Sequence, residues 1–317
     1  MKYIDDIKIN KRISKIGLGC GRLGSTYTDE LSMDLLDVFY EGGGTLLDTA
    51  RSYSPWEENG RGKSETCIGR WMQKRGNRDD IVIVTKGGIV NNKINNTREN
   101  LDRELAESLE ALQTDYIDIF LIHKDDKARP IEELAETVSY LGDKYDIRRL
   151  GFSNIDYSRL KEYDECVRKN RMERPVYIEN CWSVADYKFE MWNDEYCVGM
   201  GGELYRYMLE NHMTCLAYSS QCKGYFQKYV KSGSEGIDDF LKTRVETERN
   251  LKKALYIKEY CQREAVSPTE VVLGYITSNE LRGIALVSPS NMDQEKEILK
   301  GSDYVLPQKV IGEIDSL

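Results

Sequence analysis

The chain has 317 residues, of which 54 are acidic and 45 basic, and the resulting net charge of −9 argues against a nucleic-acid-binding surface. The charged N-terminal segment, MKYIDDIKINKRISKIG, lacks the apolar core of a signal peptide, and no stretch approaches the roughly 18 apolar residues of a membrane span. The eight cysteines form no CxxC pair, so we predict no metal or redox motif and expect reduced thiols in a cytoplasmic protein.

Apolar runs of strand length alternate with segments of helical period along the chain. A short polar segment, predicted to form a hairpin, precedes them at the N-terminus. Eight runs follow: KIGLGC, GTLLDTA, IVIVTKG, YIDIFLIH, RRLGFSN, PVYIENCW, MTCLAYSS and GIALVSPS. Between them, leucine or valine recurs on one helical face at positions 31, 35 and 38, and again at positions 101, 105, 109 and 112.

Start signals accompany two of the predicted helices. Asn96 and Glu99 have the spacing of an N-cap residue and its capping-box acid. Ser267, Pro268 and Glu270 combine an N-cap residue, a first-turn proline and a capping-box acid. We therefore predict one helix that begins just after Asn96 and another that begins just after Ser267.

The strand-like runs are continuously apolar rather than alternating, which is typical of parallel strands covered by helices. Eight βα units in a chain of this size predict an α/β fold of the closed (β/α)8 TIM barrel type, forming a single domain over residues 1–317. An open doubly wound sheet is the alternative, but the first run carries glycines at positions 17, 19, 21 and 24 instead of GxGxxG. Long connections at residues 184–203 and 223–249 are expected on the catalytic face.

Three apolar runs end in a residue that can move or steer a proton, namely Asp48, Lys86 and His123. Tyr53 follows Asp48 by five residues. Because the carboxyl ends of parallel barrel strands lie at one face, we expect the four side chains to meet there. An acid beside a lysine, a tyrosine and a histidine is typical of general acid catalysis.

Each of these residues has a candidate role. Tyr53 is the proton donor, although a phenol with a pKa of about 10 donates poorly at neutral pH unless its anion is stabilised. Lys86 can stabilise the phenolate, and Asp48 can keep Lys86 charged. His123, one of two histidines in the chain, can hydrogen-bond a carbonyl oxygen. A single Asp or Lys could be a structural ion pair, but the four residues together favour carbonyl reduction.

The motifs around these residues resemble those of the aldo-keto reductase family. The resemblance covers roughly residues 16–299 and includes DTARSY, KSETCIGRWM, VTKGG, DYIDIFLIH, RRLGFSN, LAYSS and the later SPS segment. It implies a (β/α)8 barrel that binds a nicotinamide nucleotide across its carboxyl face and reduces an aldehyde or ketone to the alcohol. It places the family's catalytic tetrad on Asp48, Tyr53, Lys86 and His123, with Tyr53 as the general acid.

The resemblance also implies residues that bind the cofactor. Ser153 and Asn154 match the pair that holds the nicotinamide carboxamide, and Tyr218 matches an aromatic residue that often stacks on the nicotinamide ring. Glu179 stands where the family usually has a glutamine. A carboxylate can accept a hydrogen bond from the carboxamide but cannot donate one.

The last strand leads into a helix N-terminus, which favours a phosphate. Ser288, Ser290 and Asn291 are suited to contact it. Pro289 and either Gln294 or Glu295 stand near where NADPH-dependent members of the family carry the cations that bind the 2′-phosphate. Because charge-assisted hydrogen bonds are the strong ones, the missing cations should weaken binding of a 2′-phosphate. NADP(H) is still the expected cofactor because of its frequency in the family, and NAD(H) is the alternative.

The segment SYSPWEENGRGKSE places Trp56, three acids and two bases close to Tyr53. An aromatic platform with polar neighbours suits a sugar or another hydroxylated aldehyde or ketone, although Trp56 could equally pack beneath its loop. Trp182 is a second candidate for the substrate pocket. The substrate itself and the oligomeric state are not indicated by the sequence.

Two other functions compete with carbonyl reduction. The fold could bind a nicotinamide nucleotide as a sensor or assembly subunit with little turnover, but such a protein has no need of Tyr53 and Lys86 together. Lys86 could instead form a Schiff base, as in barrel aldolases. Asp48 should keep that lysine charged and therefore a poor nucleophile.

Overall fold

The computed structural model describes residues 1–54, 60–189 and 196–317. The strands are β1 (Tyr3–Asp6), β2 (Lys11–Ser14), β3 (Ile16–Gly19), β4 (Leu46–Asp48), β5 (Val82–Gly87), β6 (Ile89–Val90), β7 (Lys93–Ile94), β8 (Tyr116–Ile122), β9 (Asp146–Ser153), β10 (Tyr177–Cys181), β11 (Thr214–Tyr218) and β12 (Arg282–Val287).

The helices surround these strands. They are α1 (Asp29–Glu41), α2 (Lys63–Arg75), α3 (Arg98–Leu112), α4 (Ile131–Lys144), α5 (Tyr157–Lys169), α6 (Gly202–Glu210), α7 (Tyr225–Ser232), α8 (Asp239–Val245), α9 (Glu248–Glu264), α10 (Pro268–Thr277), α11 (Met292–Gly301) and α12 (Gln308–Ser316). Among the helices in the described ranges, none is both long enough and apolar enough to span a membrane.

Eight parallel strands of the described chain close into a barrel, in the order β3, β4, β5, β8, β9, β10, β11 and β12. The last strand pairs back onto the first through Ala285 and Ile16, Leu286 and Gly17, and Val287 and Leu18. This closure confirms the predicted (β/α)8 barrel and excludes the open doubly wound sheet. Each of the eight predicted apolar runs overlaps one barrel strand.

Alternation of side chains along each strand divides the core into two layers. The inner layer fills the barrel and includes Leu46, Val84 and Ile119, each fully buried. The outer layer packs strand residues such as Leu47 and Ile83 against the helices. The strands read as continuous apolar runs because both of their faces are buried.

The predicted N-terminal hairpin is confirmed as the antiparallel pair β1–β2, in which Tyr3 lies opposite Ser14. Ile9 and Ile13 of this hairpin join the inner layer of the core. Arg149, near the start of β9, binds Asp6 through bonds of 2.7–3.0 Å. The hairpin therefore covers the amino end of the barrel, and the carboxyl end is left for a functional site.

One of the two predicted helix starts is correct. At α10, the Glu270 amide donates to Ser267 Oγ at 3.2 Å and the Ser267 amide donates to Glu270 Oε2 at 2.7 Å, which confirms the capping box. At α3 the N-cap residue is Thr97, so the prediction that Asn96 caps this helix is wrong. Asn96 is buried, and its Nδ2 donates to the Lys124 carbonyl at 2.9 Å, so its side chain ties two loops together.

The two long connections differ from a simple loop. Residues 223–249 include the helices α7 and α8, so this connection is largely helical. The connection at residues 184–203 includes residues 190–195, which lie outside the described ranges. Both connections follow strands of the barrel, as predicted, and leave it at the carboxyl end.

Glu295 is a buried acid in the helical layer, on the face of α11 that also carries Ile298 and Gly301. Its side chain is fully buried, and neither carboxyl oxygen has a hydrogen-bond partner in the described chain. Burial raises the pKa of Glu295 to about 8. The carboxyl therefore keeps its proton at neutral pH.

Glu295→Gln should stabilise the protein more at high pH than at low pH. The pKa of Glu295 rises from 4.5 to about 8 on folding, so the native state loses stability as the pH rises through that range. The glutamine variant lacks this loss, and its free energy of unfolding relative to wild type should increase by up to about 3 kcal/mol between about pH 5 and pH 8. Urea unfolding of both proteins at both pH values measures this increase. If the variant and the wild type differ by the same free energy of unfolding at the two pH values, the raised pKa of Glu295 is contradicted.

Candidate active site

The barrel brings the predicted proton-handling residues to its carboxyl end. Asp48 is the last residue of β4, Lys86 is the penultimate residue of β5, and His123 directly follows β8. These three strands are neighbours in the barrel. Tyr53 lies after β4, where the chain turns so that the Tyr53 amide donates to the Ala50 carbonyl at 3.2 Å.

The ammonium group of Lys86 is the centre of the site and is fully buried. Its Nζ lies 2.5 Å from Asp48 Oδ1, 2.9 Å from Tyr53 OH and 2.9 Å from the Thr49 carbonyl. Glu179 Oε2 lies 3.2 Å away. Burial opposes the charge, but Asp48 and Glu179 outweigh it and hold the pKa of Lys86 well above its usual value. Lys86 is therefore a cation.

The phenol of Tyr53 lies between Lys86 and Asp48. It accepts a hydrogen bond from Lys86 and donates one to Asp48 Oδ2 at 3.1 Å. Burial and the charge of Asp48 raise the pKa of Tyr53 well above 10. The positive charge of Lys86 lowers this pKa, as expected from the sequence, but does not outweigh them. Tyr53 is therefore a neutral phenol that keeps its proton until a stronger base, such as an alkoxide, lies beside it.

His123 is oriented by its neighbours. Its Nδ1 lies 3.1 Å from Ser52 Oγ, and its ring meets that of Tyr53 edge-on at a centroid distance of 5.8 Å. Burial, with the positive charges of Lys86 and Lys124, lowers the pKa of His123 well below 6.5. The imidazole is therefore neutral at pH 7. When Ser52 donates to Nδ1, the ring proton lies on Nε2 and can be given to an acceptor in the site.

Three of the predicted cofactor residues are joined by hydrogen bonds. Asn154 Nδ2 donates to Ser153 Oγ at 3.0 Å, and Asn154 Oδ1 accepts from Tyr218 OH at 2.7 Å. Asn154 Nδ2 also donates to the His123 carbonyl at 3.3 Å. The structure therefore brings Ser153, Asn154 and Tyr218 together at the carboxyl ends of β9 and β11, beside His123.

Glu179 lies in the interior of the barrel, and its side chain contacts Lys86. The side chain is 3% exposed, and Oε2 has no hydrogen-bond partner among the described residues. Burial and the charge of Asp48 raise the pKa of Glu179 well above 4.5, against the effect of Lys86. From the sequence we expected Glu179 at the cofactor and did not anticipate its contact with Lys86.

The residues predicted to contact a phosphate lie at the start of α11. Asn291 is the N-cap residue, and its Oδ1 accepts from the Gln294 amide at 3.0 Å. The Ser290 amide donates to Gln294 Oε1 at 2.8 Å, and Ser288 Oγ donates to the Gly19 carbonyl at 3.0 Å. Ser288, Ser290 and Asn291 are exposed. Part of their hydrogen-bonding capacity is thus used within the loop.

The two tryptophans predicted to contact the substrate have different outcomes. Trp56 lies outside the described residues. Trp182 is 6% exposed, and its ring packs edge-on against Tyr205 and Tyr275. It lines a cavity of about 490 Å³, and within the described chain none of the tetrad residues lines that cavity. The structure therefore places Trp182 in the outer layer of the barrel rather than beside the tetrad.

Two contacts of the tetrad were missed by sequence analysis. The Thr49 carbonyl accepts from Lys86, and the Ser52 hydroxyl lies on His123 Nδ1. Both residues belong to the motif DTARSY, but their roles depend on how the chain turns after β4. In the described ranges, no group of three or more histidine, cysteine or acidic side chains is arranged to hold a metal ion.

The imidazole of His123 should remain neutral across the physiological pH range. Because burial, Lys86 and Lys124 lower its pKa well below 6.5, its carbon-bound protons should show no titration midpoint near or above 6.5 in an NMR experiment. The chain has only two histidines, so the His123→Asn variant identifies the resonances by their loss. A titration midpoint near 6.5 for those resonances would contradict the assignment.

Comparison with known proteins agrees with this geometry. The pattern of the aldo/keto reductase family matches residues 15–317. Aldo-keto reductase YhdN of Bacillus subtilis is 30% identical over 232 residues, which are 71% of this chain and 63% of that protein. Protein tas of Escherichia coli K12 is 24% identical over 331 residues, or 96% of this chain and 94% of its own length. Norsolorinic acid reductase B of Dothistroma septosporum is 31% identical over 196 residues, or 56% of this chain and 48% of its own length. The chain belongs to the aldo/keto reductase family.

Proposed function

We propose that this protein reduces an aldehyde or ketone to the alcohol, with a proton supplied by Tyr53. The observation that carries the proposal is the buried chain of contacts from Asp48 through Lys86 to Tyr53, with lengths of 2.5 and 2.9 Å. Such a chain serves an acid that must release a proton and leave a stabilised anion. Membership of a family of NAD(P)H-dependent oxidoreductases supports the same reaction.

The first role of the site is to bind and polarise the carbonyl. His123 is neutral and can donate Nε2–H to the carbonyl oxygen, while Ser52 holds the ring through Nδ1 at 3.1 Å. When bound, the reduced nicotinamide supplies the hydride. Negative charge then develops on the substrate oxygen, where Tyr53 and His123 can both donate hydrogen bonds.

The second role is to deliver the proton. Tyr53 holds its proton firmly because burial and Asp48 raise its pKa, so transfer occurs only to a strongly basic oxygen. The phenolate that remains lies 2.9 Å from the Lys86 ammonium. Asp48 keeps that ammonium charged and in position at 2.5 Å. The tetrad thereby links proton release to the development of charge on the substrate.

The residues at the carboxyl face fit a nicotinamide nucleotide. The linked polar groups of Ser153 and Asn154 suit a carboxamide. The buried Oε2 of Glu179 has no hydrogen-bond partner in the described chain and suits the carboxamide amino group. Tyr218 can offer its ring to the nicotinamide. At the start of α11, the exposed Ser288, Ser290 and Asn291 suit a phosphate.

We propose NADP(H) as the cofactor and NAD(H), which lacks the 2′-phosphate, as the alternative. Family frequency supports NADP(H). The neutral Gln294, engaged with the Ser290 amide, offers no charge to a 2′-phosphate and supports NAD(H).

A hydroxylated aldehyde or ketone, such as a sugar, is the proposed substrate class. Its support is the sequence of the loop after Tyr53, with Trp56 among acidic and basic residues. Arg61 of this loop donates to the Ile89 carbonyl at 3.0 Å and binds Glu104. This arginine is therefore committed to the protein, and the substrate hydroxyls would depend on the other polar residues of the loop.

Tyr53→Phe should leave nucleotide affinity nearly unchanged and lower the reduction rate at least about 100-fold, because the ring is retained and the acid is lost. Tryptophan fluorescence titration with NADPH and NADH measures affinity, and nucleotide oxidation with aldoses, keto sugars and simple aldehydes measures turnover. Tyr205→Phe is the matched control, because the Tyr205 hydroxyl binds Asn279 at 2.6 Å and belongs to the outer layer. It should have the wild-type rate.

Two results would reject parts of this proposal. Full turnover by the Tyr53→Phe variant would remove Tyr53 as the acid. Tight nucleotide binding by the wild type without turnover of any carbonyl would favour the sensor function instead.

A further inference from the structure

The site contains one more buried acid than its single lysine can neutralise. Asp48 and Glu179 are each 3% exposed, and both contact Lys86 Nζ, at 2.5 and 3.2 Å. Two ionised carboxylates would leave a net negative charge in a buried volume, which is costly. One proton shared by the pair removes that charge. The question is which carboxyl holds it.

The hydrogen bonds of the site answer this question. An ammonium group has three protons, and Lys86 directs its bonds to Asp48, Tyr53 and the Thr49 carbonyl. Asp48 receives a second bond from Tyr53 OH at 3.1 Å. Glu179 Oε2 receives none in the described chain. Asp48 is thus the carboxyl whose anion is stabilised by two hydrogen-bond donors, whereas Glu179 has only the longer contact of 3.2 Å with Lys86.

The groups that face Glu179 from the neighbouring elements agree with this assignment. Glu179 lies opposite Ser153 of β9 and Leu216 of β11 in the barrel. The charged groups that act on it are Asp48 and Lys86. Burial and Asp48 raise the pKa of Glu179 well above 4.5. Its titratable neighbours Tyr53, Cys215 and Tyr218 have pKa values raised by burial and are neutral.

We propose that Glu179 is a positioning residue that stores a proton, being a neutral acid beside a reduced nicotinamide and a carboxylate beside an oxidised one. This inference rests on the proposed function. As a neutral acid, Glu179 offers one O–H donor and one acceptor, the same pair of functions that a glutamine amide offers to a carboxamide. A carboxylate cannot donate a hydrogen bond to the carboxamide, but the protonated form of Glu179 can.

The charge of the nicotinamide ring determines whether Glu179 keeps its proton. The reduced ring is neutral and the oxidised ring is a cation, and a nearby cation favours the ionised form of a carboxyl group. Binding of the oxidised nucleotide should therefore convert the Glu179 carboxyl to a carboxylate and release its proton to the buffer. No such release accompanies the reduced nucleotide, because no charge is added to the site.

Isothermal titration calorimetry of the whole protein tests this proposal. Oxidised and reduced nucleotides are titrated at about pH 7 in phosphate and in Tris, whose ionisation enthalpies differ, so that the buffer dependence of the heat counts protons. The wild type should release nearly one proton per molecule of oxidised nucleotide bound, and almost none per molecule of reduced nucleotide bound. The Glu179→Gln variant should lose this difference between the two nucleotides.

Two further variants identify the proton. Tyr53→Phe removes the other proton in contact with Lys86 and should keep the release. Glu295→Gln removes a second buried acid with a raised pKa, located on α11, and should also keep it. Loss of the release in Tyr53→Phe, or its retention in Glu179→Gln, overturns the proposal.

Infrared spectroscopy separates this inference from the proposed function. Because Glu295 also holds a proton at neutral pH, free wild-type protein should show more protonated carboxyl absorption than the Glu179→Gln variant, in which only the Glu179 contribution is lost. If neither nucleotide binds, the proposed function fails and this difference spectrum alone decides whether Glu179 holds a proton. Equal protonated carboxyl absorption in the wild type and in the Glu179→Gln variant overturns the inference even if carbonyl reduction is observed.

Discussion

The burial of one positive charge, that of Lys86, is the constraint on which the rest of the site depends. An ammonium group inside a barrel is stable only if acceptors surround it, because the cost of removing a charge from water is large. Asp48, Tyr53 and the Thr49 carbonyl provide these acceptors at 2.5–2.9 Å. The parallel pairing of β4 with β5 makes the arrangement possible, because it sets the carboxyl ends of the two strands side by side.

The same burial sets the reactivity of the neighbouring groups. It raises the pKa of Tyr53 and lowers that of His123, so each is neutral at pH 7 and each has a proton to donate. It also makes a second carboxylate unfavourable, which bears on Glu179. A site composed of a cation, an anion and several neutral donors responds strongly to any charge that appears within it. Carbonyl reduction creates such charges on both the substrate and the nucleotide.

Much of the fold and of the tetrad was predictable from the sequence, for a simple geometric reason. Continuous apolar runs indicate strands buried on both faces, and the ends of parallel strands share one face of a barrel. Asp48, Lys86 and His123 end or follow such runs, so their proximity follows from the order of the strands. Tyr53 was expected in the site because it follows Asp48 by five residues, and the family resemblance gave the same assignment; taken alone, it is one of 21 tyrosines.

Other features depend on contacts that sequence patterns do not encode. Glu179 reaches Lys86 across the inside of the barrel, from a strand distant in the chain, and no local spacing indicates that contact. Trp182 was expected beside the substrate but points into the outer layer, because successive strand residues alternate between the two layers. Thr97 caps α3 because Asn96 is bound to the Lys124 carbonyl, an interaction between loops.

Transfer of a labelled hydride distinguishes a carbonyl reductase from a protein that only binds the nucleotide. The reduced nucleotide carries deuterium at the transferable position of the nicotinamide and is mixed with a molar excess of the protein. Glyceraldehyde or a simple aldehyde is then added, and the products are examined by mass spectrometry. The account predicts an alcohol with one deuterium on the former carbonyl carbon and a nucleotide that has lost the label. A nucleotide that keeps its deuterium while bound, with no labelled alcohol from any carbonyl offered, would contradict it.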